Sequence, residues 1–179
     1  MSQIGTGQRA LTSSQDLGGV SIVDGLRRQQ PQGILLSVGL NDTARIGRRD
    51  GRHQLDPEAF LFGLQQLLNQ LKAAAPVLVL GLTPVDEHVM PFADLLWYSN
   101  EHVRQYEALL KEACMEADLP FLPLLDSLLA DPSWLQWICP DGIHFNSEGH
   151  RQIYERVRHW SPLMSWADLQ PTSAGTPLY

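Results

Sequence analysis

Short apolar runs alternate with helical periodicities from Gly33 onward, and that alternation predicts most of the architecture. Gly33 to Val38 (Gly-Ile-Leu-Leu-Ser-Val), Pro76 to Leu82 and Pro120 to Leu124 are bounded by turn residues and apolar along their length. That is the pattern of strands buried on both faces of a parallel sheet. Between them, Asp56-Pro57 reads as a helix cap followed by a first-turn proline, and Phe60, Leu61, Leu64, Leu67, Leu68 and Leu71 recur at the core-facing period. Val103, Tyr106, Leu110, Cys114 and Ala117 mark a second such helix, which makes Cys114 a core thiol. A short helix is expected around Asp126 to Ala130. A last helix, with a capping group at Asn146-Ser147, carries Ile153, Tyr154, Val157 and Trp160 on one face. Strands and helices alternating through short loops give an α/β fold with a parallel sheet covered on both faces.

The ends of the chain lack this regularity. Residues 1–32 are broken by glycine, and the best pattern there is a helix face of Leu17, Val20, Val23 and Leu26 stopped by Pro31. Residues 166–179 end in a Pro/Gly/Ser/Thr-rich tail expected to be disordered, which leaves 33–165 as one layered domain.

Composition narrows the partners. A 179-residue chain that is 44% hydrophobic and 18% charged is one globular domain with room for a real core. Its formal charge of −7 speaks against nucleic acid or an anionic membrane as partner. Cys114 and Cys139 have neither metal-ligand nor disulfide-framework spacing. The sequence shows no signal-peptide core and no long apolar span, so a cytoplasmic location is expected.

Candidate chemistry concentrates in Pro140-Asp-Gly-Ile-His-Phe-Asn-Ser-Glu-Gly-His150. Asp141 stands three residues before His144, and Gly142 between them permits a tight turn. A carboxylate that fixes one ring nitrogen leaves the other free to take a proton from a nucleophile. Asp, Gly, His and Asn also make ordinary turns, so this pair needs a partner elsewhere. One is offered by Gly39-Leu40-Asn41-Asp42, which follows the first clear strand and so stands at the carboxyl edge of the sheet, where open α/β folds bind ligands. The loop from Glu87 to Asp94, with His88, Met90, Pro91 and Phe92, is long enough to line a pocket. The loop bearing Arg45, Arg48, Arg49, Arg52 and His53 is read as solvated rather than as an anion clamp.

Together these motifs resemble the SGNH hydrolases, also called GDSL esterases and lipases. The resemblance rests on Gly39-Leu40-Asn41-Asp42 after a strand, and on Asp141-x-x-His144-x-Asn146-x-x-Gly149-His150 near the C-terminus, and it spans roughly Pro31 to Trp160. It implies a flavodoxin-like three-layer α/β/α sandwich and hydrolysis of a small carboxylic ester or acylated substrate through an acyl-enzyme, with no cofactor. His144 would be the general base, Asp141 its orienting acid and Asn41 an oxyanion donor; Asp42 would hold the loop.

The departure from the family pattern lies in the first 38 residues. The family's serine sits in a Gly-Asp-Ser block after the first strand, and no apolar strand ending in that block occurs here. Gly7 to Leu17 has some character of the family's second block, with Ala10 where a glycine is expected. Gly19-Val20-Ser21-Ile22-Val23-Asp24-Gly25 resembles the nucleophile block with Val20 in place of the acid, but no strand precedes Ser21. The nucleophile is therefore unassigned. A sheet without its first strand would leave Ile34 to Val38 as an open edge prone to self-association. The expectation is then that the first strand lies upstream and that this chain alone is inactive or poorly folded. The alternatives are a non-catalytic relic binding a small ligand in the same cleft, and a metal-dependent hydrolase using Asp141, His144 and His150, for which the helical spacing is unfavourable.

Overall fold

The structure, a computed structural model, describes residues 30–166. The helix expected over Leu17 to Leu26, Ala10, Ser21 and the C-terminal tail lie outside the described residues.

Three short parallel strands form the centre: β1 (Ile34–Leu36), β3 (Val77–Leu80) and β5 (Phe121–Leu122), in the order β1-β3-β5. Ile34 stands opposite Val77, and Val79 opposite Phe121. Each strand is the apolar run expected there, trimmed at its ends, where the chain turns into loops. Among the described residues β1 is an edge strand, and Leu35 on it is 44% exposed.

Helix α1 (Pro57–Lys72) begins where Asp56 accepts a hydrogen bond from the Glu58 N–H, with Pro57 in the first turn. It buries Phe60, Leu64, Leu67, Leu68 and Leu71, each worth roughly 2 kcal/mol of burial, while Leu61 is only half-buried. Helix α2 (Asn100–Glu116), capped by the Ser99 hydroxyl on the His102 N–H, packs Val103, Tyr106, Leu110, Ala113 and Cys114 into the same core, with Val77 and Val79 of the sheet. Burial pushes the Cys114 thiol up to about 11, as suits an inert core thiol. On the other face Leu80 joins Leu124, Leu128, Trp137, Phe145 and Val157. Leu128, Trp137 and Val157 come from α3 (Leu125–Leu129), a 3₁₀ turn at Trp134–Trp137, and α4 (Ser147–Arg158), while Leu124 and Phe145 stand just before α3 and α4; α5 (Ser161–Trp166) follows. Helices on both faces of a parallel sheet make the three-layer α/β/α sandwich of flavodoxin-like proteins.

One element departs from the pattern. The arginine-rich loop does not run free: β2 (Arg45–Ile46) pairs antiparallel with β4 (Leu96–Trp97). Arg45 donates from Nη1 to the Gly51 carbonyl, and Tyr106 donates to the Leu55 carbonyl from below. Arg48 and Arg49 are ion-paired with Asp50 and Glu87, so their guanidinium groups are engaged on the surface.

A buried carboxylate ties the carboxyl ends of β3 and β5 together. Oε1 of Glu107, on α2, accepts from the backbone N–H groups of Leu82, Leu124 and Leu125 at 3.0, 3.0 and 3.1 Å. Gly81 leaves it room, since a Cβ there would stand 2.1 Å from that oxygen. The loops that leave the two strands toward the site are thereby fixed at their roots.

Candidate functional site

Asp141 and His144 meet as their spacing predicts. Oδ1 of Asp141 accepts the backbone N–H groups of Ile143 and His144, each at 3.0 Å, closing the turn, and Oδ2 lies 2.6 Å from His144 Nδ1. Burial pulls the Asp141 carboxyl upward, but the bonds from the His144 backbone and ring and from the Ile143 backbone outweigh it, holding it below the usual carboxylate range. An ionised carboxylate only accepts, so the hydrogen in this contact is donated by Nδ1, which fixes the ring by that edge.

The turn is docked on the loop that leaves β3. Gly142 has φ of +81°, and a Cβ there would meet Val89 Cγ2 at 2.4 Å and the Asp86 carbonyl at 3.0 Å. Its own carbonyl accepts the Asp86 N–H at 2.8 Å. Behind the turn, the Cys139 N–H donates to the His144 carbonyl at 2.7 Å and the Asn146 N–H to the Trp137 carbonyl at 2.9 Å. Asn146 caps α4 through the N–H groups of Glu148 and Gly149. Ile143 beside the histidine is buried, so the imidazole is carried on an anchored turn.

Asn41 opens a 3₁₀ turn (Asn41–Thr43) two residues after Gly39, whose φ of +109° bends the chain out of β1's direction. Its side chain is half-buried and makes no hydrogen bond among the described residues. A run of rings connects this turn with the histidine. Phe92 stands edge-on to His144, with centroids 6.2 Å apart, and Tyr98 stands edge-on to Phe92 at 6.3 Å. Burial and then the nearby charge of Asp42 push the Tyr98 hydroxyl up to about 12. Asn41, His144 and the loop after β3 thus belong to one end of the sheet, the carboxyl end.

Phe92 lies on the Glu87 to Asp94 loop that is long enough to line a pocket, whereas Tyr98 and Asn100 carry no such signal in the sequence. Asn100 holds that loop by accepting the Val85 N–H at 3.0 Å and donating to the Val85 carbonyl at 2.9 Å. The visible signal was an Asn just inside the start of a helix, which by itself reads as a cap. Other polar candidates stand apart. His150 is exposed on α4, and among the described residues Asp141, His144 and His150 do not gather into a group that could hold a metal ion. A hollow of about 750 Å³ is lined by Lys72, Val77, Leu119, Pro120 and Trp166. It opens at the amino ends of the strands, away from this chemistry.

Asp42 is 4% exposed and makes no side-chain hydrogen bond among the described residues; burial raises its pKa from 3.8 to about 6. Folded, it keeps its proton up to about pH 6, whereas unfolded it releases it near 3.8, so ionising it costs stability as pH rises through this window. Asp42→Asn, which resembles the protonated form, should therefore stabilise the chain by roughly 2 kcal/mol at pH 8 and hardly at all at pH 4. Thermal melts at the two pH values check this. A gain of equal size at both would rule out ionisation as its cause.

Comparison with known proteins agrees with this fold. The model of the GDSL-like lipase/acylhydrolase family matches residues 5–152, taking in most of the segment before Pro31 that carries Ser21. Among solved structures, a lipase/acylhydrolase from Enterococcus faecalis aligns over 75% of this chain and 66% of its own, with 17% identity and a TM-score of 0.59. A peptidoglycan O-acetylesterase aligns over 82% of this chain and 39% of its own, with 16% identity and a TM-score of 0.58. A protein from Lactobacillus plantarum aligns over 81% of this chain and 73% of its own, with 23% identity and a TM-score of 0.52. At such identities these likenesses concern the fold, and this chain spans less than two thirds of the first two structures. A search of the curated proteins finds no match. No described helix is long and apolar enough to cross a membrane. With its family model covering most of its length, the chain belongs to the GDSL-like lipase/acylhydrolase family.

Proposed function

We propose that this site hydrolyses small carboxylic esters through an acyl-enzyme, and the observation that carries the reading is the 2.6 Å contact between Asp141 and His144 Nδ1. Nε2 of His144 accepts the proton of a serine hydroxyl as its oxygen attacks the ester carbonyl carbon. The Asn41 amide donates to the oxyanion that forms. When the tetrahedral intermediate collapses, the C–O bond to the alcohol breaks and the imidazolium returns the proton to the departing oxygen. Water then repeats the sequence on the acyl-enzyme, releasing the acid and regenerating the serine.

The serine itself is sought before residue 30. Ser99 and Ser127 are committed elsewhere, Ser99 to capping α2 and Ser127 to the Leu124 carbonyl. Ser21 lies within the segment that the family match includes. A fluorophosphonate probe tests the assignment on the full chain. Labelling that disappears in His144→Ala supports the hydrolase reading, and its loss in Ser21→Ala as well would identify the nucleophile. An unlabelled parent chain would refute turnover and leave the cleft as a binding site for small acylated ligands.

A further inference from the structure

The apolar surface touching His144 is built by a turn that the chain adopts at a cost. Phe92 and Leu96 exchange two backbone hydrogen bonds, Phe92 N–H to the Leu96 carbonyl at 2.8 Å and the reverse at 2.9 Å. Between them Ala93 and Asp94 both take positive φ, 50° and 58°, a conformation that disfavours residues with a Cβ. The Gly47 N–H bonds the Leu95 carbonyl at 2.8 Å, so the β2–β4 ribbon holds the turn in place. What this fixes is Phe92, whose ring stands steeply inclined to the His144 imidazole, with centroids 6.2 Å apart. Val89, packed on Gly142 at the other side of the turn that carries His144, is 44% exposed despite its apolar side chain. Phe92 thus borders the base with apolar surface, and Val89 adds an exposed apolar group on the turn that carries it.

In ester cleavage the imidazole must hand its proton to the departing alcohol, so a wall touching the imidazole borders the leaving group rather than the acyl chain. Resting on the hydrolase reading above, we infer that Phe92 determines specificity for the alcohol side of the ester and favours an apolar leaving group. The acyl side is bordered by other surface and does not depend on this ring.

Benzyl acetate, ethyl acetate and ethyl butyrate separate the possibilities, because benzyl and ethyl alcohols leave with similar ease while differing in apolar bulk. Phe92→Ala should lower kcat/KM for benzyl acetate by roughly 10- to 50-fold more than for ethyl acetate, with the loss mainly in KM. The ethyl acetate to ethyl butyrate ratio should stay unchanged, and Phe92→Leu should restore part of the benzyl preference. Equal loss for all three esters would mean that Phe92 only orients His144, and a loss tracking acyl length would place the wall on the other side; either result overturns the inference while leaving the hydrolase reading intact. Absence of turnover of all three esters by the parent chain would refute the hydrolase reading itself and this inference with it.

Discussion

Where the parent chain turns over p-nitrophenyl acetate, His144→Ala should lower kcat by about 10⁴-fold or more, because it removes the group that must take the serine proton and return it to the leaving alcohol. Asp141→Asn should lose about as much for a different reason. The introduced amide would turn an N–H toward Nδ1, where the carboxylate now accepts at 2.6 Å. The imidazole would then carry its proton on Nε2 and could no longer act as a base. The two losses should not add, since each disables the same proton transfer. Circular dichroism should show both variants folded, as the side chains of Asp141 and His144 are roughly 40% exposed and displace no core residue. Turnover that survives both substitutions would remove the pair from the chemistry.

What made that pair legible, and its surroundings not, is the range over which each is determined. Asp141 and His144 meet across a turn whose geometry is fixed by the residues within it, so three positions of sequence suffice. The same holds for α1, where Asp56-Pro57 and the leucine period are local instructions. The β2–β4 ribbon is the opposite case. Two residues, Arg45-Ile46, carry no period, and their partners Trp97 and Leu96 are distant in sequence, so the ribbon went unseen, although Arg48, Arg49 and Arg52 are exposed as the sequence suggested. Phe92 depends on two non-glycine residues at positive φ, for which the sequence offers neither Gly nor Asn as a signal. On α4 the expected face holds for Ile153, Val157 and Trp160, which pack on the core, and only Tyr154 departs from it, at 58% exposed. The site's two motifs could therefore be read, but the surface between them had to be seen.

The largest structural effect is expected at Glu107, where sequence pattern alone conceals a polar core residue. It stands four positions after Val103 and three before Leu110, on the helix face that is otherwise apolar, and it is 8% exposed. Its Oε1 is the shared acceptor for the N–H groups of Leu82, Leu124 and Leu125. Glu107→Ala would leave those donors without a partner in a space too small to hydrate well, and each buried unsatisfied donor costs about 1–3 kcal/mol. A loss of roughly 3–5 kcal/mol is expected, enough to unfold a marginally stable chain at 37 °C. Glu107→Gln keeps an acceptor oxygen of the same reach and should recover a large part of it. Leu could fill the volume but accepts nothing, so Glu107→Leu should resemble Ala rather than Gln. Urea denaturation of the three variants distinguishes acceptor chemistry from packing. If Leu matched the parent, the carboxylate would have no part in holding the ends of β3 and β5. If Gln is folded and Leu is not, the loops that bring Asp86 to the His144 turn are rooted in that one oxygen.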